Sequence, residues 1–209
     1  MDVLDQCDIF DNSELLTILQ TIMNDDDWKT TICSKSYLHV NNFYKINLGT
    51  QKDGTTIRLH YWNKNTEYGQ NPHSHGWNFT SKVIRGVLFE TRYEQCEEKG
   101  GFMAKFQQDL TKHNKTSSII EKEDDLRLRI IDKSWYNVDY IYSADTDVIH
   151  TAYAGEDKTI TAIKQSPFLK DTCDIYASEP IEGSSKRENI SIEQLNAMLC
   201  DVILYLLDL

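Results

Sequence analysis

Pro72-His73-Ser74-His75-Gly76 sets two imidazoles two positions apart, just ahead of a run to Glu90 that alternates apolar and polar residues. In an extended chain, residues i and i+2 point to the same side, so His73 and His75 can offer both rings to one ion. Neutral imidazole suits iron, zinc, copper and nickel. A metal site needs at least one more protein ligand, and it must come from elsewhere in the fold. The competing reading is two surface histidines that are neighbours by accident. With 6 histidines in 209 residues, chance yields such a pair in about one chain of six.

Strands must position these rings. TTIRLHYW, SKVIRGVLFETRY, LRLRIID, WYNVDYIY and KTITAIKQ are short, alternating, and rich in β-branched and aromatic residues. QKDG, KNTEYGQNP, EEKGG and AGEDK punctuate them as turns. Many short strands at this spacing predict a barrel or a sandwich. Helices flank them. Asp11 or Asn12 can cap a helix in which Leu15, Leu16, Ile18, Leu19, Ile22 and Met23 recur at helical spacing, with a stop at Asn24-Asp25-Asp26-Asp27. Near the end, Ser191 with Gln194 forms a capping-box pattern before a stripe of Leu195, Met198, Leu199, Val202, Ile203 and Leu206. Leu204, Tyr205 and Leu207 leave that helix apolar nearly all round at its end, which predicts packing across the barrel or, as the alternative, a homodimer contact. One domain results, with a helical region over 1–36, a β-barrel over 37–170, and a linker and C-terminal helix over 171–209.

Length and composition set limits. A chain of 209 residues, 40% apolar and 11% aromatic, suits one folded domain with a real core. A net charge of −11 disfavours nucleic acid and anionic membranes as partners, because both repel an acidic surface. Cys7, Cys33, Cys96, Cys173 and Cys200 are odd in number and widely spread, with no CxxC pair, so neither a disulfide framework nor a thiolate zinc site is indicated. The acidic start MDVLDQCDIFD lacks a signal-peptide profile, and no apolar run is long enough to span a bilayer. These features predict a soluble, cytoplasmic protein.

The histidine pair resembles the first motif of the cupins, in which a glycine, HxH, usually a glutamate, and a glycine follow one another. Gly69, His73, His75 and Gly86 supply these positions, with only three residues between Gly69 and His73, while Phe79, with Thr80 adjacent, falls where the glutamate would be. Asp145-Thr146-Asp147-Val148-Ile149-His150 keeps the spacing of the second cupin motif, with Asp145 and Asp147 in place of its turn residues and Ala154 in place of its asparagine. The resemblance therefore implies a jelly-roll β-barrel and makes His150 the third ligand. A cupin with three histidines and no glutamate resembles the cysteine dioxygenase group of thiol dioxygenases, and the likeness runs from about Phe43 to Phe168. Three family features are unmatched. Lys45 and Ile46 stand near the place of the carboxylate-binding arginine. Thr161, Ile163 and Gln165 stand where that group has serine, histidine and the catalytic tyrosine. No cysteine lies near Thr80 to crosslink such a tyrosine.

If Trp62 faces the interior, as the resemblance implies, strand parity turns His60 and Arg58 inward too. Arg58 is then a substitute anchor for a substrate carboxylate through its bidentate fork, or else a solvent-facing arginine. His60 reads as a pocket or core histidine, and Gln165 as a donor to a bound oxygen species or a plain strand residue. Tyr142 and Tyr153 flank His150 and either line the mouth or simply pack. His39 and His113 read as surface residues. Asp25-Asp26-Asp27 and Glu121-Glu123-Asp124-Asp125 read as solvated loops, since neither has the pattern of a calcium loop.

The expected function is a mononuclear Fe(II) cupin oxidising a small anionic substrate, with thiols as first candidates, by O2. Zinc, nickel, manganese and copper remain open as the ion. The alternatives are a redox-neutral metal-dependent lyase, isomerase or hydrolase, and a non-catalytic cupin that binds a small ligand.

Overall fold

The alternating segments form strands, and their pairing builds two antiparallel sheets. A computed structural model of the chain describes residues 2–39, 41–62, 70–97, 101–110, 119–178 and 188–209, with 2, 101–102 and 119–125 described by backbone alone. In chain order the elements are α1 (Asp2–Gln6), α2 (Asn12–Met23), α3 (Asp26–Lys35), β1 (Tyr37–Leu38), β2 (Phe43–Thr50) and β3 (Thr56–Trp62). Then come β4 (Phe79–Arg85), β5 (Leu88–Cys96), β6 (Gly101–Asp109), β7 (Ile119–Tyr136) and β8 (Ile141–Ala144). β9 (Ile149–Ala154), β10 (Thr159–Gln165), β11 (Thr172–Ala177) and α4 (Ile192–Leu207) complete the chain. One sheet runs β1-β2-β3-β10-β4-β8 and the other β11-β6-β7-β5-β9. The architecture is a two-sheet, jelly-roll-like sandwich with terminal helices, one of the two outcomes the strand spacing predicts, and not the closed barrel that the resemblance implies.

Parity explains how the first sheet serves two cores. Ile57, Leu59 and Tyr61 of β3, Ile46 and Leu48 of β2, and Ile160 and Ala162 of β10 pack against Leu15, Ile18, Leu19 and Ile22 of α2 and the stripe of α4. Each fully buried Leu or Ile there contributes roughly 1.5–3 kcal/mol. The intervening residues of the same strands face the second sheet, where Phe43, Trp62, Val83, Leu88, Tyr136 and Ala154 form a smaller cluster. Gly86 makes the step from β4 into β5 at φ 77°, and a Cβ there would come within 2.5 Å of the Thr159 hydroxyl.

Several expectations change. Asn24 ends α2, but Asp25 then caps a further helix by accepting from Trp28 N at 2.8 Å. Asp26 and Asp27 lie in its first turn, where the helix dipole favours negative charge, and not in a loop. Residues Glu121 to Asp125 belong to β7, not to a loop: pairing with β6 in register Lys105↔Glu123 and Phe106↔Glu121 overrides their weak strand propensity. β11 lies within the stretch expected to be linker. Gly69, His113 and most of KNTEYGQNP fall outside the described residues. α4 packs on α2 and α3 at the outer face of the first sheet, with Leu204, Leu207 and Leu209 exposed at its end. No helix among the described residues is long and apolar enough to cross a membrane.

Candidate metal centre

The backbone brings the histidines together. His150 lies on β9, an edge of the second sheet, and β11 is the opposite edge. The segment 72–76 runs between them. His73 N donates to His150 O and His150 N to His73 O, both at 3.0 Å, while Tyr176 N donates to Pro72 O at 2.8 Å and Ser74 N to Asp174 O at 2.9 Å. The HxH pair thus stands in a short extended segment outside the named strands, held by bonds to both edges.

The side chains converge in consequence. Ring centroids lie 4.9 Å apart for His73 and His75, 5.2 Å for His73 and His150, and 5.1 Å for His75 and His150. One nitrogen from each ring lies within 4.8 Å of the others. His75 Nε2 and His150 Nε2 are 2.9 Å apart. Two bare lone pairs repel at that distance, so a proton or a cation belongs between them. Nitrogens bound at about 2.1 Å and at right angles to one cation are separated by about 3 Å, so this pair fits a shared ion.

Hydrogen bonds behind the rings set their tautomers. His73 Nδ1 lies 3.0 Å from Asn71 O, and His150 Nδ1 lies 2.7 Å from Glu90 Oε1. Both partners only accept, so each Nδ1 carries a proton, and Nε2 is the atom each ring turns toward a shared ion. Burial, reinforced by His150 and Lys45, lowers the His73 pKa to about 4. Burial and the neighbouring histidines hold His75 well below the usual range. Both rings are neutral at pH 7, as metal ligation requires.

Glu90 escaped the sequence reading. It is only 1% exposed, and its other oxygen accepts from Tyr136 Oη at 2.6 Å and Arg92 Nε at 2.9 Å. Burial alone would raise its carboxyl, but His150, Tyr136 and Arg92 outweigh that, and the net shift is downward. Its signal in the sequence is an acid at an inward position of β5, in phase with Leu88 and two residues ahead of an arginine.

The histidines open into a cavity between the sheets, with about 80 Å³ of room for water-sized molecules. Since one water needs about 10–15 Å³ of such room, the space takes several waters or a molecule of a few heavy atoms. Arg58, His60, Trp62, Gln165 and Tyr142 line it, as does Lys45 from β2. Lys45 Nζ lies 5.2 Å and Arg58 Cζ 5.8 Å from the centre of the Trp77 ring, which neighbours His75 at 5.1 Å. Lys45 and Arg58 thus bring two positive charges to this wall, in a chain of net charge −11. His60 Nε2, Trp62 Nε1, Gln70 Nε2 and Gln165 Oε1 are buried there without a hydrogen-bond partner among the described residues. Burial, then the charges of Lys45, Arg58 and His39, keep His60 well below its usual pKa and neutral.

One expectation is corrected, and for Tyr153 one of two alternatives is selected. His39 is not a bystander on the surface: it stacks on Phe43 at 4.6 Å and lines the cavity. Tyr153 is not among the lining residues and stacks on Phe89 at 5.0 Å. Phe79, at the position of the missing glutamate, turns its ring toward His75 and His150 at 5.4 and 5.9 Å.

Fold and site together define a class: a mainly β, two-sheet protein, consistent with a cupin-like fold, whose three clustered histidines are placed to hold a metal ion. No family model and no curated protein matches the chain.

Proposed function

We propose that the protein is a mononuclear metal enzyme that oxidises a small anionic substrate with O2, with Fe(II) held by His73, His75 and His150. The observation that carries this reading is the meeting, in one small cavity, of three imidazoles and a wall bearing Lys45 and Arg58. Bound Fe(II) with three uncharged protein ligands keeps open positions and supplies the electron chemistry that dioxygen needs. The chain's residues do the rest. Lys45 and Arg58 hold the anionic group of the substrate against Trp77. Trp62 Nε1–H and Gln70 Nε2–H donate to its polar atoms, while Gln165 Oε1 accepts. Phe79, Ile163 and Ala152 pack on its carbon atoms and exclude water, which strengthens each polar contact. Thiols are the first candidate substrates, on the strength of the resemblance.

A redox-neutral reading has its own support. A carboxylate behind a histidine ligand, as Glu90 stands behind His150, is an arrangement that serves zinc centres, where a bound water is activated as nucleophile. The residues Thr161, Ile163 and Gln165 on β10 supply no tyrosine for oxygen chemistry.

The test is metal analysis of protein purified without a histidine tag, followed by oxygen uptake with Fe(II) and a panel of thiols and small carboxylates. About one ion per chain and substrate-dependent uptake are expected. Turnover without oxygen consumption selects the redox-neutral enzyme. A metal content near zero, unrestored by added Fe(II) or Zn(II), rejects both enzymes in favour of a ligand-binding module.

A further inference from the structure

We infer that Glu90 is a positioning residue for the metal: it fixes His150 as the Nδ1–H tautomer and places a negative charge behind a ligand set that has none. This rests on the metal reading above and extends it to a residue that is not a ligand.

The geometry leaves the carboxylate little freedom. One oxygen accepts from His150 Nδ1 at 2.7 Å; the other accepts from Tyr136 Oη at 2.6 Å and Arg92 Nε at 2.9 Å. Arg92 is anchored in turn, since its Nη2 donates to Ser143 O at 2.9 Å. Tyr136 is pinned by stacking on Tyr142 at 4.4 Å and Tyr140 at 4.9 Å. A carboxylate buried to 1% exposure is costly to keep unless all its oxygens are engaged. An ion pair with Arg92 alone would satisfy one oxygen of Glu90; the second is committed to the ring.

The effect on His150 is specific. A carboxylate only accepts, so Nδ1 must carry a proton, and Nε2 is the atom turned toward His75 Nε2, 2.9 Å away. His73 is oriented by a neutral backbone carbonyl, a weaker acceptor. His150 is therefore the most strongly donating of these two rings. The charge of Glu90 would act on a bound cation through the imidazole of His150, on which its carboxylate bears.

The experiment pairs nitrogen-15 NMR of the metal-free chain with Co(II) titrations of wild type, Glu90→Gln and Tyr136→Phe. His150 should be protonated at Nδ1 in the wild type, a result that needs no variant. Glu90→Gln keeps an acceptor for Nδ1–H but removes the charge. It should bind Co(II) about 10–100-fold more weakly and shift the visible Co(II) absorption, a change that a purely structural role would not produce. Tyr136→Phe, which frees one side of the carboxylate, should weaken binding in the same direction by less. An Nε2–H tautomer for His150 in the wild type, or equal Co(II) affinity in folded Glu90→Gln, overturns the role of Glu90. If Glu90→Gln does not fold, unchanged affinity in Tyr136→Phe does so. Failure of the wild-type chain to take up Co(II) overturns the metal reading itself.

Discussion

The backbones of His73 and His150 exchange two hydrogen bonds, each amide donating to the other residue's carbonyl at 3.0 Å. Two candidate ligands from distant parts of the chain are thus registered by the main chain before their side chains meet anything. Substitution of either ring should leave this bridge intact, so metal uptake can be measured in a folded protein.

The two rings should nonetheless differ in what they contribute to stability. His150→Ala strips the Glu90 carboxylate of its Nδ1–H donor in a buried setting. Leaving such a group unsatisfied costs about 1–3 kcal/mol, and more when it is charged. His73→Ala frees only a backbone carbonyl. Both variants should lose metal, but urea unfolding should show the larger drop for His150→Ala. Adding Glu90→Gln should recover part of it.

Metal-free stability should fall in mild acid. The His73 pKa of about 4 in the folded chain lies below the value of about 6.5 for an unfolded histidine. Between the two, the unfolded chain binds a proton that the folded chain does not. The contribution is fully present above about pH 6.5 and is lost as pH falls toward 4. Unfolding midpoints in denaturant measured from pH 7.5 to 4.5 should decline, and His73→Asn should flatten part of the slope.

Anion binding should need both cations. Lys45→Met and Arg58→Met each remove a charge beside Trp77. A charge-assisted hydrogen bond contributes about 1.5–3 kcal/mol, so each variant should weaken small carboxylates or thiolates about 10–100-fold. Quenching of tryptophan fluorescence during ligand titration measures this. Metal content should stay at the wild-type level, since neither residue is a ligand.

The helix starts give a test remote from the site. Asp11 accepts from Ser13 N and Glu14 N, and Asp25 from Trp28 N. Alanine at either position should lower stability by about 1 kcal/mol without altering metal uptake. Calorimetric melting of the metal-free proteins reads both effects.

Much of the scaffold was legible because its causes are local. The stripe Leu195, Met198, Leu199, Val202 and Leu206 and the cap pair Ser191 and Gln194 depend only on residues a few positions apart, and both hold in α4. Alternation placed β3, and with it Arg58, His60 and Trp62 on one side. Asp25 was less legible because an aspartate ends one helix as readily as it begins another. Residues Glu121 to Asp125 became a strand through pairing with β6, which their own propensity does not encode.

By itself the sequence determined the mainly β class, the helix stripes and the paired imidazoles, since periodicity and cap chemistry act over one or two turns of chain. Only the tertiary structure decided which residues meet. It set the segment 72–76 between β9 and β11, put Glu90 behind His150, and turned Lys45 and His39 into the cavity with Arg58. Those contacts follow from strand register and burial, which depend on pairings between distant segments and leave no mark on any one of them.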